Sequence, residues 1–134
     1  LSCFRRHLQV SAATYEFLTL PGAARMYDRV MQIGALSREK LPIDCRVQRH
    51  EDLVENFDRE ARAICDFLGV AWADAMMNFE QSARERTIRS LSASQVRRGL
   101  NSDGIGQWRR YAEQLEPVLP VLEPWVRTFG YSPT

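Results

Sequence analysis

Only one stretch of this chain alternates apolar and polar residues with the period of a β-strand. In IDCRVQRH, residues 43 to 50, Ile43, Cys45 and Val47 alternate with Asp44, Arg46 and Gln48. A lone strand constrains the fold severely, because its main-chain donors and acceptors need neighbours. Everything else in the pattern is helical or irregular. The expectation is therefore one strand, at about residues 43–49, whose sheet neighbours lie in an N-terminal part of the same domain that is absent here. The abrupt opening LSCFRRHL, which already reads as helix, points the same way.

The helical segments are set by punctuation and by apolar spacing. Pro21 suits the first turn of a helix, where its missing donor costs little. From Ala24, the positions Met26 or Tyr27, Val30, Met31, Ile33 and Ala35 or Leu36 give a broad apolar face, and Pro42 should end the helix. Asp58 and Gly69 bracket a second helix as N-cap and C-cap. Its face is Ala61, Ile64, Cys65 and Leu68, broadened by Phe67. Residues 74 to 82 read as a short helix. In the closing stretch, Leu115, Val118, Leu119, Leu122 and Val126 form a packing face that Pro117, Pro120 and Pro124 divide into short or kinked pieces.

Between about residues 84 and 105 lies an irregular segment longer than packing alone favours, and such segments are often binding elements. Seven arginines, at 84, 86, 89, 97, 98, 109 and 110, fall in this neighbourhood, with only Glu85 and Asp103 as acids among residues 84–110. Guanidinium forks suit phosphate or sulfate oxygens. Yet the formal net charge of the 134 residues is only +1, which argues against a general nucleic-acid binder. There is no run of 18 apolar residues, hence no expected membrane span. Cys3, Cys45 and Cys65 lack metal-ligand spacing, and His7 and His50 stand alone. They read as reduced thiols of a cytoplasmic chain, with no metal site.

Four pieces carry a resemblance: LSCFRRHL (1–8), VQRHEDLV (47–54), ICDFLGVAW (64–72) and SLSASQVRRGLNSDGIGQWRRYAEQLEPVL (90–119). In order and spacing they resemble the C-terminal half of a PAPS-dependent sulfotransferase, of the bacterial tetratricopeptide-associated and tyrosylprotein-sulfotransferase-like branch. That resemblance implies an α/β P-loop-type fold with a parallel sheet, of which residues 1–134 would be the C-terminal part. It implies PAPS or its product 3',5'-ADP as cofactor, and sulfuryl transfer to an acceptor hydroxyl or amine of unknown identity.

Carried over by position, Ser2 would bond the cofactor's 3'-phosphate. Ser92 would lie near the bridging and sulfuryl oxygens, where a donor stabilises charge on the leaving phosphate. Gln95, Arg97 and Arg98 would belong to a cofactor-covering loop, with Arg97 the first choice to supply charge. His50 stands where the family commonly has Tyr on the adenine side, Gly99 where it commonly has Pro, and Gln107 where Lys or Arg often meets the phosphosulfate. Trp108 and Tyr111 read as packing residues. The Gly-rich phosphosulfate loop is absent from the sequence, so the 134 residues alone are expected to be inactive. The partner would then be the N-terminal half of the domain or an oligomer mate. The alternative is a degenerate sulfotransferase remnant serving as a non-catalytic interaction module.

Overall fold

The computed structural model describes residue 9 and residues 11–12, 14–81 and 99–132. They divide into two compact units, Leu1–Cys45 with Gln107–Thr134, and Arg46–Gly106.

The first unit is built on a long helix, α1, Leu20–Lys40. Thr19 starts it: its hydroxyl accepts the Gly22 N–H at 3.1 Å, satisfying one of the donors a helix N-terminus leaves open. Pro21 occupies the first turn as the sequence predicts. At the other end the Leu41 N–H still bonds the Ser37 carbonyl at 2.9 Å, and Leu41 itself turns to extended backbone ahead of Pro42. Arg38 and Lys40 lie in the last turn, where cations complement the helix dipole.

A short 3-10 turn, Tyr15–Leu18, folds back on the start of α1. The approach is close: a Cβ on Gly22 would stand 2.3 Å from the Glu16 carbonyl oxygen. Glycine is therefore required there for space rather than for backbone freedom.

The closing segment runs as a 3-10 turn Gln107–Tyr111, α-helix Ala112–Leu115, a 3-10 turn Glu116–Val118, and a final helix Leu119–Thr128. The two α-helices among these are α4 and α5 in chain order, after α2 and α3 of the second unit. Pro117 and Pro120 stand in the first turns of the last two pieces, as expected of dividing prolines, while Pro124 lies inside the final helix. Leu20, Ala24 and Asp28 are spaced by four and so share one stripe of α1. Ala24 is buried with Leu115 and Val118, and Leu20, Trp108, Tyr111 and Leu122 pack around them. Trp108 and Tyr111 are thus packing residues. One polar tie joins the layers: Trp125 Nε1 donates to Asp28 Oδ1 at 2.8 Å, while Asp28 Oδ2 accepts from Gln32 at 2.8 Å.

In the second unit α2 spans His50–Glu55 and α3 spans Phe57–Leu68. Gly69 ends α3 in the left-handed region, φ 66°, as the sequence predicts. Asp58 does not cap it. Asn56 precedes the helix, and Asp58 sits in the first turn holding the Arg62 guanidinium at 2.9 and 3.0 Å. Cys65 is buried, with its Sγ 3.7 Å from Met76 Sδ in the 3-10 turn Asp74–Asn78. Phe57 and Phe79 meet at 5.6 Å. The stripe on α3 is narrower than its sequence suggests, since Phe67 and Leu68 are exposed.

The expected α/β architecture is overturned. Among the described residues there is no strand. Residues 42–49 carry no regular element. Although the flanking Leu41 and Arg49 have extended angles, no described segment pairs with the stretch, and without a ladder it is not a sheet. Where the resemblance puts the end of a sheet strand, at His50 and the Glu-Asp-Leu-Val that follows, the chain instead begins helix α2.

Candidate functional site

The first unit carries an apolar groove of about 390 Å³ between α1 and the closing segment. Its walls come from two helix faces. Ala23, Met26, Tyr27 and Val30 stand on α1, beside the Leu20–Ala24–Asp28 stripe that packs inward. Leu122, Trp125, Val126 and Phe129 stand opposite, at the three- and four-residue spacing that lines one side of α5 and continues just past its end. Phe17 and Tyr131 close the rim. The Trp125 and Phe129 rings lie 6.4 Å apart and nearly parallel, so they present a continuous aromatic wall.

The groove's chemistry is apolar. Its polar atoms are the Tyr27 and Tyr131 hydroxyls and the Trp125 indole N–H, and the last is already committed to Asp28. Partial burial raises the Tyr27 phenol above its ordinary 10.0, which keeps it neutral throughout the physiological range. Among the described residues no carboxylate, imidazole, thiol or cation lines the groove.

Apolar surface extends past it. Along α1, Tyr27, Val30, Ile33 and Leu36 recur every three residues and remain 42 to 64% exposed. The sequence groups these positions as one broad apolar face, but steps of three on a 3.6-residue turn carry them half-way round the helix. Tyr27 and Val30 therefore line the groove, while Ile33 and Leu36 turn away from the Ala24 stripe. Among the described residues no side chain falls below 2% exposure, so the core is thin for so apolar a chain.

Of the positions singled out in the sequence, Ser2, Ser92, Gln95, Arg97 and Arg98 lie outside the described residues. His50 is exposed at the first residue of α2. Gln107 is half-buried at the start of its 3-10 turn, in the other unit. Arg109 lies over the Trp108 ring at 5.5 Å. Lys40 ends α1 and pairs with Glu39 at 2.6 Å. Gly99 adopts φ 77°, where a Cβ would meet the Glu80 carboxylate at 2.5 Å, so glycine there is fixed by backbone and by space together.

No family model matches the chain, and no solved structure matches it. A stretch of 74 residues, 55% of the chain, is 27% identical to an uncharacterized protein of Aquifex aeolicus (strain VF5). The match spans only 10% of that relative's length.

These findings overturn the sulfotransferase reading, for the enzyme and for the degenerate remnant alike. The described residues have no sheet and the sequence has no Gly-rich phosphate loop, so nothing supplies the row of N–H donors that would hold PAPS or 3',5'-ADP. Nor do three or more His, Cys, Asp or Glu side chains gather into a metal-holding group among the described residues. Among those residues no helix is long and apolar enough to cross a membrane.

What sequence reasoning missed is the groove. Its signal was present in the α1 periodicity, where the apolar arc is wider than one partner helix can cover.

Proposed function

We propose that this chain is a protein-association element whose α1–α5 groove receives an amphipathic helix of a partner polypeptide. The observation that carries the proposal is the open apolar groove itself, whose α1 wall keeps Tyr27 and Val30 42% and 45% exposed opposite the aromatic wall of Trp125 and Phe129. The α1 wall from Ala23 to Val30 is roughly 10 Å long at 1.5 Å per residue, enough to seat about two turns of an added helix.

A small-molecule site is a poorer fit. Such sites orient their ligands with a few convergent polar groups. This groove offers two tyrosine hydroxyls and no charge. Contiguous apolar surface of this kind is characteristic of protein contact. The proposal rests on the groove alone and on no ancestry.

Titration with synthetic helical peptides tests it. One set carries leucines at i, i+3, i+4 and i+7, and the other has the same composition scrambled. The amphipathic set should shift Trp125 emission to shorter wavelength and bind saturably. Val30→Asp should abolish the effect without changing the far-UV circular dichroism. Equal binding of the scrambled set, or binding indifferent to Val30→Asp, would refute the assignment.

A further inference from the structure

A second feature is independent of the groove. The main-chain N–H and C=O groups of Asp44, Cys45, Arg46 and Val47 make no hydrogen bond with other described residues. The stretch lies outside any helix, and the flanking Leu41 and Arg49 have extended backbone angles. Ile43 is tied only locally, its N–H to the Leu41 carbonyl at 2.8 Å. Ile43 and Val47 are 51% and 55% exposed, and the Cys45 thiol is free and exposed. Open edges of this kind are templates for a second strand.

We propose that residues 43–47 pair antiparallel with the same five residues of a second copy of this chain, with Cys45 opposite Cys45 on the two-fold axis. The sequence is complementary to itself in that register. Ile43 meets Val47 of the second copy on the apolar face. Asp44 meets Arg46 on the other face, and symmetry gives each of these pairs twice. Sliding the register by two residues centres the pair on Asp44 or on Arg46 and sets like charges directly opposite. Sliding by one puts Ile43 against Arg46 and mixes the faces. Only the Cys45-centred register satisfies shape and charge together. Arg46 keeps its monomer contacts there: Nη2 bonds Glu60 at 3.1 Å and Gln48 at 3.3 Å, and the other guanidinium nitrogens remain for the second copy's Asp44.

The symmetric placement of Cys45 supplies the test. Directly opposed residues of an antiparallel pair come within about 4.5 to 5.5 Å between Cα atoms, within reach of a disulfide. Mild oxidation by oxygen with copper–phenanthroline, followed by trypsin, should release peptide 41–46 linked to itself. Sedimentation under reducing conditions should show a reversible dimer, retained in Cys45→Ser. Asp44→Arg and Arg46→Asp should each weaken the dimer roughly tenfold or more, and the double exchange should restore it. Rescue by the double exchange excludes misfolding as the cause of either loss. A chain that sediments as a monomer up to its solubility limit overturns the proposal. So does a dimer indifferent to both charge changes. If that dimer is lost in Val30→Asp, association through the groove stands and strand pairing falls.

Discussion

Two glycines of α1 allow the same substitution to be made with opposite expected signs. Replacing glycine by alanine inside a helix gains about 1 kcal/mol, because the unfolded chain loses freedom and the helix does not. At Gly34 nothing lies within 4 Å of the added methyl, so Gly34→Ala should realise most of that gain. At Gly22 the methyl would stand 2.3 Å from the Glu16 carbonyl oxygen and 2.9 Å from the Thr19 hydroxyl. The first of these is backbone and cannot rotate away. Relief requires the Tyr15–Leu18 turn to move outward by about 1 Å, judged against the ordinary limit near 3.4 Å. The second contact presses on the cap that starts the helix. Overpacking costs about 1–3 kcal/mol and loss of a cap about 1 kcal/mol, which together outweigh the propensity gain. Gly22→Ala should therefore destabilise by about 1–3 kcal/mol, and the two variants should differ by about 2–4 kcal/mol. Urea unfolding followed at 222 nm measures both. If Gly22→Ala proves as stabilising as Gly34→Ala, the turn does not pack against the helix start and the argument fails.

Three further outcomes follow from single contacts. Trp125→Phe keeps the aromatic wall but strips Asp28 Oδ1 of its donor, and should cost about 1–2 kcal/mol in the same assay. Asp28→Asn, which keeps an acceptor oxygen, should cost less. Gly69→Ala should destabilise by about 1–2 kcal/mol, although no atom lies within 4 Å, because φ 66° is the left-handed region; Gly69→Asn should recover part of the loss. Glu60 is held below its ordinary 4.5 by hydrogen bonds from Arg59 and Gln48 and by the charges of Arg59 and Arg46. Its contribution is present above pH 4.5 and is lost as pH falls through the depressed folded value. Glu60→Gln should flatten the fall of the thermal midpoint on acidification below pH 4.5, and an unchanged profile would refute the linkage.

What the sequence made legible was local. Pro21 and Pro42 bound α1, Gly69 ends α3, and Pro117 and Pro120 fall in the first turns of two closing pieces, because each acts through its own φ or its own missing donor. Pro124 instead lies inside α5. Asp58 was read as a cap and instead holds Arg62, since Asn56 is also able to precede a helix and sequence does not rank the two. Strand 43–49 failed for a different reason. Alternation suits an extended backbone, but a strand is a relation between two segments and no single segment encodes the other. The resemblance built on VQRHEDLV failed at the same point, where His50 begins a helix.

The groove shows the converse. Periodicity in α1 correctly located apolar residues but could not say which were core, because burial depends on how many helices arrive. The stripe through Leu20, Ala24 and Asp28 meets the closing segment, and α5 reaches it with a side chain that must also satisfy a carboxylate. Asp28 on an otherwise apolar stripe thus fixes the rotation of α1 about its own axis. Turning the helix to bury Val30 and Ile33 would break the Trp125 bond and leave its indole donor unsatisfied against apolar surface. That hydrogen bond fixes which side of α1 meets α5, and it leaves Ile33 and Leu36 64% and 55% exposed on the side away from the Ala24 stripe.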